Sequence, residues 1–204
     1  MFKTKYAFTL AEVLVTLAVV AIISTILMPA IGKARPNKQK VLFKKAYSVA
    51  ERMVYEIVND EDLYPQSATT VGLDNTAEIE YLNNNYGSKD NAAEQKSKFC
   101  KIFARKVNTT SDTISCAEAN SAFTGSPSFI TTDGIAWYMP YTDFSTTPQT
   151  IRVDVNGTAN PNCTYNSSTC VNPDRFKIKV ESDGKMYVDG EKEKEYLSTN
   201  NTLR

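Results

Sequence analysis

The residues able to do chemistry are few and unevenly placed. One carboxylate, Glu12, stands at the edge of the longest uncharged run in the chain. Four cysteines lie at positions 100, 116, 163 and 170. A late segment rich in Asx residues carries Asp154, Asn156 and Asp174, oxygen ligands of the kind that suits Ca²⁺. Histidine is absent, which removes Ser-His-Asp and Cys-His catalysis and His-ligated zinc or haem. There is no G-x-S-x-G, no Gly-rich phosphate loop and no convincing acidic pair, so no enzyme is expected. The 204 residues carry 23 Lys+Arg against 23 Asp+Glu. That balance argues against strong nucleic-acid binding, because phosphate recognition needs clustered cations.

These groups must be positioned by three kinds of element. The first is apolar. Residues 13–31 form nineteen consecutive positions without a charge. At about 1.5 Å per residue a helix of that length spans roughly 28 Å, close to the ~30 Å hydrocarbon core of a bilayer. A cleavable secretory signal has a shorter apolar stretch of ~7–15 residues. A plain anchor has no use for Glu12, since an ionised group deep in a bilayer costs about 2.5–3.5 kcal/mol on insertion scales.

A third reading gives the carboxylate a role. The run Ala7-Phe8-Thr9-Leu10-Ala11-Glu12, followed by Val13-Leu14-Val15-Thr16-Leu17, resembles the prepilin signature of type IV pilins and type II secretion pseudopilins. The resemblance implies a leader at 1–7, cleavage between Ala7 and Phe8, and N-methylation of Phe8. It also implies that Glu12 meets the Phe8 amine of a neighbouring subunit, and that Pro29 kinks the helix. Ala7 stands where the family usually has Gly. The implied partners are other pilin or pseudopilin subunits, a prepilin peptidase and an inner-membrane assembly platform. Thr9, Thr16, Ser24 and Thr25 are read as small polar contacts between helices.

The remaining organisation follows from pattern. The resemblance implies that residues 8–31 are the membrane and assembly helix, 32–60 its amphipathic continuation, and 61–204 an exported head. Within 38–59, Leu42, Ala46, Val49, Ala50, Met53 and Ile57 recur at spacings of three and four, the stripe of a helix lying on a sheet. Pro36 is expected to interrupt the helix, with Asn37 capping its second half. Short helices are expected over 76–83 and 91–105, with Ala92, Phe99, Ile102 and Phe103 facing the core. Strands are expected over 134–139, 150–155, 175–180 and 185–188. The last two flank Ser182-Asp183-Gly184, a hairpin turn with Gly at the position of positive φ. Strands joined by short links give an antiparallel sheet. The class expected is therefore α+β and pilin-like, with a long N-terminal helix on a C-terminal antiparallel sheet. Residues 191–204 are expected to fray, and Trp137, Tyr138 and Tyr141 to form core and sheet face.

Four cysteines allow three disulfide connectivities; spacing makes 163–170 and 100–116 natural local loops. A zinc site has no C-x-x-C pair to build on, and an even count beside an apolar span favours disulfides in an oxidising, exported head. As an EF-hand begun at Asp154 the late loop fails, with Ala159 and Tyr165 where Gly and Glu belong. Asx turns explain the same residues without a metal. Some pseudopilins hold Ca²⁺ in a comparable loop, so the resemblance implies Ca²⁺ at Asp154, Asn156 and Asp174. The function expected is a filament subunit, a pseudopilin or minor pilin. It would be a single-pass inner-membrane protein with its body outside, and after assembly part of a periplasmic or cell-surface filament. The alternative is a membrane-tethered adhesin or binding module that does not polymerise. The positive-inside pattern does not choose an orientation, because Lys3 and Lys5 face Lys33, Arg35, Lys38 and Lys40 across the run.

Overall fold

Apolar periodicity builds two very different helices at the front of the chain. The structure, a computed structural model, describes residues 9–34, 37–66, 72–73, 92–110, 114–146, 148–166 and 168–198. The chain divides into two units, Met1–Lys38 and Gln39–Arg204. The first unit holds one helix, α1 (Leu10–Ala34). The second opens with α2 (Lys38–Val58). The described helices end at Ala34 and begin again at Lys38, and Pro36, expected to interrupt them, lies outside the described residues. The helix expected over 76–83 lies outside the described residues.

α2 has the stripe that its spacing predicts, rotated slightly. Phe43, Ala46, Ala50, Met53, Val54 and Ile57 are buried, whereas Leu42 and Val49 lie on the flank. The shift follows from ring packing: Phe43 stacks on Phe176 with centroids 4.3 Å apart. A second helix, α3 (Ala92–Lys106), buries Phe99, Ile102 and Phe103, as expected, together with Cys100 and Ala104.

Beneath these helices lies a five-stranded sheet in simple sequential order. Its strands are β1 (Phe129–Ile130), β2 (Ala136–Tyr138), β3 (Gln149–Asp154), β4 (Arg175–Val180) and β5 (Met186–Tyr187). Every neighbouring pair is antiparallel. β4 shows the period-two logic plainly, with Phe176, Ile178 and Val180 buried and Lys177 exposed. Its full register against β3 runs from Gln149↔Val180 to Asp154↔Arg175. The β4–β5 turn closes through Gly184 N–H to Glu181 O at 3.0 Å, and Gly184 has φ +85. A side chain there would also meet Val58, whose Cγ2 lies 2.8 Å from the position of a Cβ. The class is thus α+β with an antiparallel, pilin-like head.

Two expectations change. β1 adds a strand to the four expected, and at only two residues it carries no period of its own. The tail does not fray from Glu191 onward. A short helix, α4 (Glu191–Leu197), buries Tyr196 with its ring 5.7 Å from that of Phe176. Trp137 and Tyr138 are buried, and Trp137 stacks on Phe129 at 6.2 Å.

Both local disulfides form. Cys100–Cys116 ties α3 to the segment leading into β1, and Cys163–Cys170 closes a small loop before β4. Closing a loop of the first size is worth about 3 kcal/mol in the chain-entropy model.

One buried charge is conspicuous. Lys98 on α3 is only 6 % exposed, and its Nζ sits 3.8 Å from the centroid of the Tyr64 ring. Burial lowers its amine from 10.5 to about 7. Between those values the unfolded chain holds a proton that the folded chain has released. Stability at this site therefore rises as pH climbs from about 7 towards 10.5. Thermal melts at about pH 6 and pH 9 should show that rise in the native chain, and Lys98→Met should abolish it while gaining stability at the lower pH.

Candidate functional site

The front of α1 is organised by Thr9 and Glu12. The helix begins at Leu10, so Glu12 falls in its first turn, where backbone N–H groups lack helical partners. Thr9 Oγ1 accepts from Glu12 N–H at 3.3 Å. Glu12 Oε2 in return accepts from Thr9 N–H at 2.8 Å and from Thr9 Oγ1–H at 2.9 Å. This is a reciprocal capping box. It occupies one carboxylate oxygen inside the chain and leaves the group exposed at the helix end.

Past Glu12 the side chains are apolar on every face. Leu14, Val15, Leu17, Val20 and Ile22 are all about three-fifths exposed. A helix apolar all round needs cover from lipid or from other helices. Its hydroxyls are turned inward: Thr16, Ser24 and Thr25 donate to Val13 O, Val20 O and Ile22 O at 2.9, 2.8 and 2.7 Å. Within a single chain the hydroxyl donors are thus held by their own helix, as Ser and Thr do at mid-helix positions. Among the described residues no helix is long and apolar enough to cross a membrane. The described side chains of α1 end at Thr25. The helical bounds of α1 run through Pro29, whose side chain is not among them, and Ala7 and Phe8 lie outside the described residues.

The second cluster is in the head. Its three expected oxygen ligands, Asp154, Asn156 and Asp174, come together at the ends of β3 and β4, but each is engaged by the protein. Asp174, fully buried, accepts from Asn162 N–H and Cys163 N–H, each at 2.8 Å. Asp154 Oδ2 pairs with Arg175 Nε at 2.8 Å. Arg175 Nη2 donates to Asn162 Oδ1 at 3.1 Å, and its guanidinium lies 5.1 Å from the Phe123 centroid. Asn156 Nδ2 donates to Asn160 O at 3.1 Å. Asp154 Oδ1 and Asn156 Oδ1 remain buried without a hydrogen-bond partner. Burial pushes the Asp154 carboxyl up from 3.8 to about 6, against the pull of Arg175 and with the help of the negative Asp174. Among the described residues no group of three or more His, Cys, Asp or Glu is placed to hold a metal.

Arg175 completes the cluster, and its neighbours in sequence carry no signal for it. Its role is fixed by register: Asp154 and Arg175 are cross-strand partners, which brings a cation to a carboxylate twenty-one positions away. Removing Asp174 tests the other half of the cluster. Asp174→Ala leaves two half-buried amides unpaired, at about 1–3 kcal/mol each. A loss of roughly 2–6 kcal/mol should appear as a lower denaturant midpoint with an unchanged slope.

A model of the prokaryotic N-terminal methylation motif matches residues 2–28. The matched stretch contains the Ala7–Phe8 junction, the Thr9–Glu12 box and most of the apolar run. The chain therefore carries the hallmark of the prepilin-type signal of type IV pilins and pseudopilins. Neither curated proteins nor solved structures give a match.

Proposed function

We propose that this chain is a structural filament subunit, a pseudopilin or minor pilin, that is processed at its N-terminus and polymerises through α1. The observation that carries the reading is the methylation motif with its one carboxylate at the head of an exposed apolar helix. In this reading a prepilin peptidase cuts between Ala7 and Phe8, and the new amine is methylated. The apolar run holds the subunit in the inner membrane as a single pass, with the head outside. That compartment is oxidising, which suits two disulfides and the lack of any free cysteine among the described residues.

Assembly then follows from electrostatics. In a low-dielectric bilayer a lone carboxylate and a lone ammonium are each costly, and their attraction is strong. A neighbour's Phe8 amine can take over from Thr9 as the partner of Glu12, or use the oxygen that the capping box leaves open. The pair fixes helix register, which apolar packing within lipid does poorly. The inner-membrane platform and sibling subunits are the partners of this step. Catalysis by the subunit has no place in it. Calcium has none either, because Arg175 already neutralises Asp154 and Asp174 holds two backbone amides.

The rival reading, a membrane-tethered binding module, differs in what it needs from Glu12. Glu12→Ala should leave membrane insertion and head folding intact but remove the protein from sheared filament fractions. A Glu12→Ala chain recovered in filaments at native abundance would overturn the assembly role and favour the tether.

A further inference from the structure

Asn156 and Gly157 form the only Asn-Gly step in the chain. The backbone nitrogen after an asparagine can attack that asparagine's own side-chain carbonyl carbon, and glycine has no side chain to hinder the approach. Cyclisation makes a bond from Gly157 N to Asn156 Cγ and breaks the bond from Cγ to Nδ2. The proton of Gly157 N–H leaves with Nδ2 as ammonia. Water then opens the five-membered succinimide at either of its carbonyls, giving aspartate or isoaspartate. The two steps need water and no other reactant.

The folded turn holds the reacting groups off this path. Gly157 N–H donates to Asp154 O at 3.3 Å. Asn156 Nδ2 donates to Asn160 O at 3.1 Å, and Asn156 Oδ1 is buried. The carboxamide is thus tied to a residue four positions on. Gly157 is itself buried at φ +74, with the position of a Cβ only 2.9 Å from Gly134 O. Cyclisation must free both the Gly157 N–H and the carboxamide, so it requires the turn to open.

The acid product does not fit the place that the amide leaves. Exchanging Nδ2 for oxygen sets two acceptors against each other across the 3.1 Å to Asn160 O. The buried, unpartnered Oδ1 would then share a negative charge. Asp154 and Asp174 are buried carboxylates of the same turn region, and Arg175 already pairs with Asp154. An isoaspartate also adds a carbon to the backbone of a turn closed by the Gly157–Asp154 hydrogen bond.

We propose that Asn156 is a conditional modification site: silent in the folded head, it cyclises with Gly157 and loses ammonia when the 154–160 turn opens, and the acid formed bars return to native stability. Deamidation at this one position is then a lasting record that a head has unfolded. The proposal concerns the head alone and does not depend on filament assembly.

The test has two arms. In the first, the full chain in detergent is held in mildly alkaline buffer with and without urea, digested with trypsin, and the peptide 153–175 is analysed by mass spectrometry. Asn156 should convert at least about tenfold faster in urea, because conversion of the folded chain is limited by its open fraction. Equal rates in the two buffers, or no conversion in urea, would overturn the proposal. In the second, thermal melting compares Asn156→Asp, which mimics the product, with Asn156→Ala, which removes the amide and adds no charge. Asn156→Asp should melt about 4–8 °C below the native chain, and Asn156→Ala only about 1–4 °C below it. An Asn156→Asp chain as stable as the native one, or no less stable than Asn156→Ala, would contradict the claim about the product. If Asn156→Asp fails to fold where Asn156→Ala folds, the proposal stands; if neither folds, it falls.

Discussion

A single negative charge at the entrance of an apolar helix is the constraint around which this protein is arranged. Alone in lipid the Glu12 carboxylate is expensive, and the hydroxyls behind it, on Thr16, Ser24 and Thr25, donate to their own helix instead. In the isolated chain Thr9 relieves part of that cost through the capping box. The solution is local and leaves the apolar surface of α1 without cover. In the proposed filament a processed neighbour would solve both problems together, bringing an ammonium to the carboxylate and a second apolar surface to the helix.

The head solves the same kind of problem by different means. Its carboxylates are buried among backbone amides and a guanidinium, and its register makes the pairing inevitable once β3 and β4 align. α2 lays Phe43 on Phe176, and α4 closes on the other side of that ring with Tyr196. Two short disulfide loops then pin segments of little regular structure, at 100–116 and 163–170. Local staples of this kind suit the oxidising surroundings proposed for the head.

Much of this was legible in the residues. β4 could be bounded to the residue because Phe176, Ile178 and Val180 alternate with charged neighbours. The β4–β5 turn was legible because Gly184 is needed at positive φ. α2 and α3 announced themselves by period, although the α2 stripe centres on Phe43 instead of Leu42; aromatic stacking across the core decides that, and spacing alone cannot. β1 and α4 escaped because a two-residue strand carries no period, and because Glu191-Lys192-Glu193-Lys194 masks the one ring, Tyr196, that anchors the tail. Arg175 escaped for a similar reason. Its importance comes from the residue opposite, not the residues beside it.

The proposed assembly depends most on a cut that would create an ammonium for Glu12. Intact mass spectrometry of the polypeptide from its native membranes or filaments measures this directly. The chain should begin at Phe8 with one methyl group on its amine. A chain still beginning at Met1, or one trimmed past the apolar run, would contradict the pairing on which assembly rests.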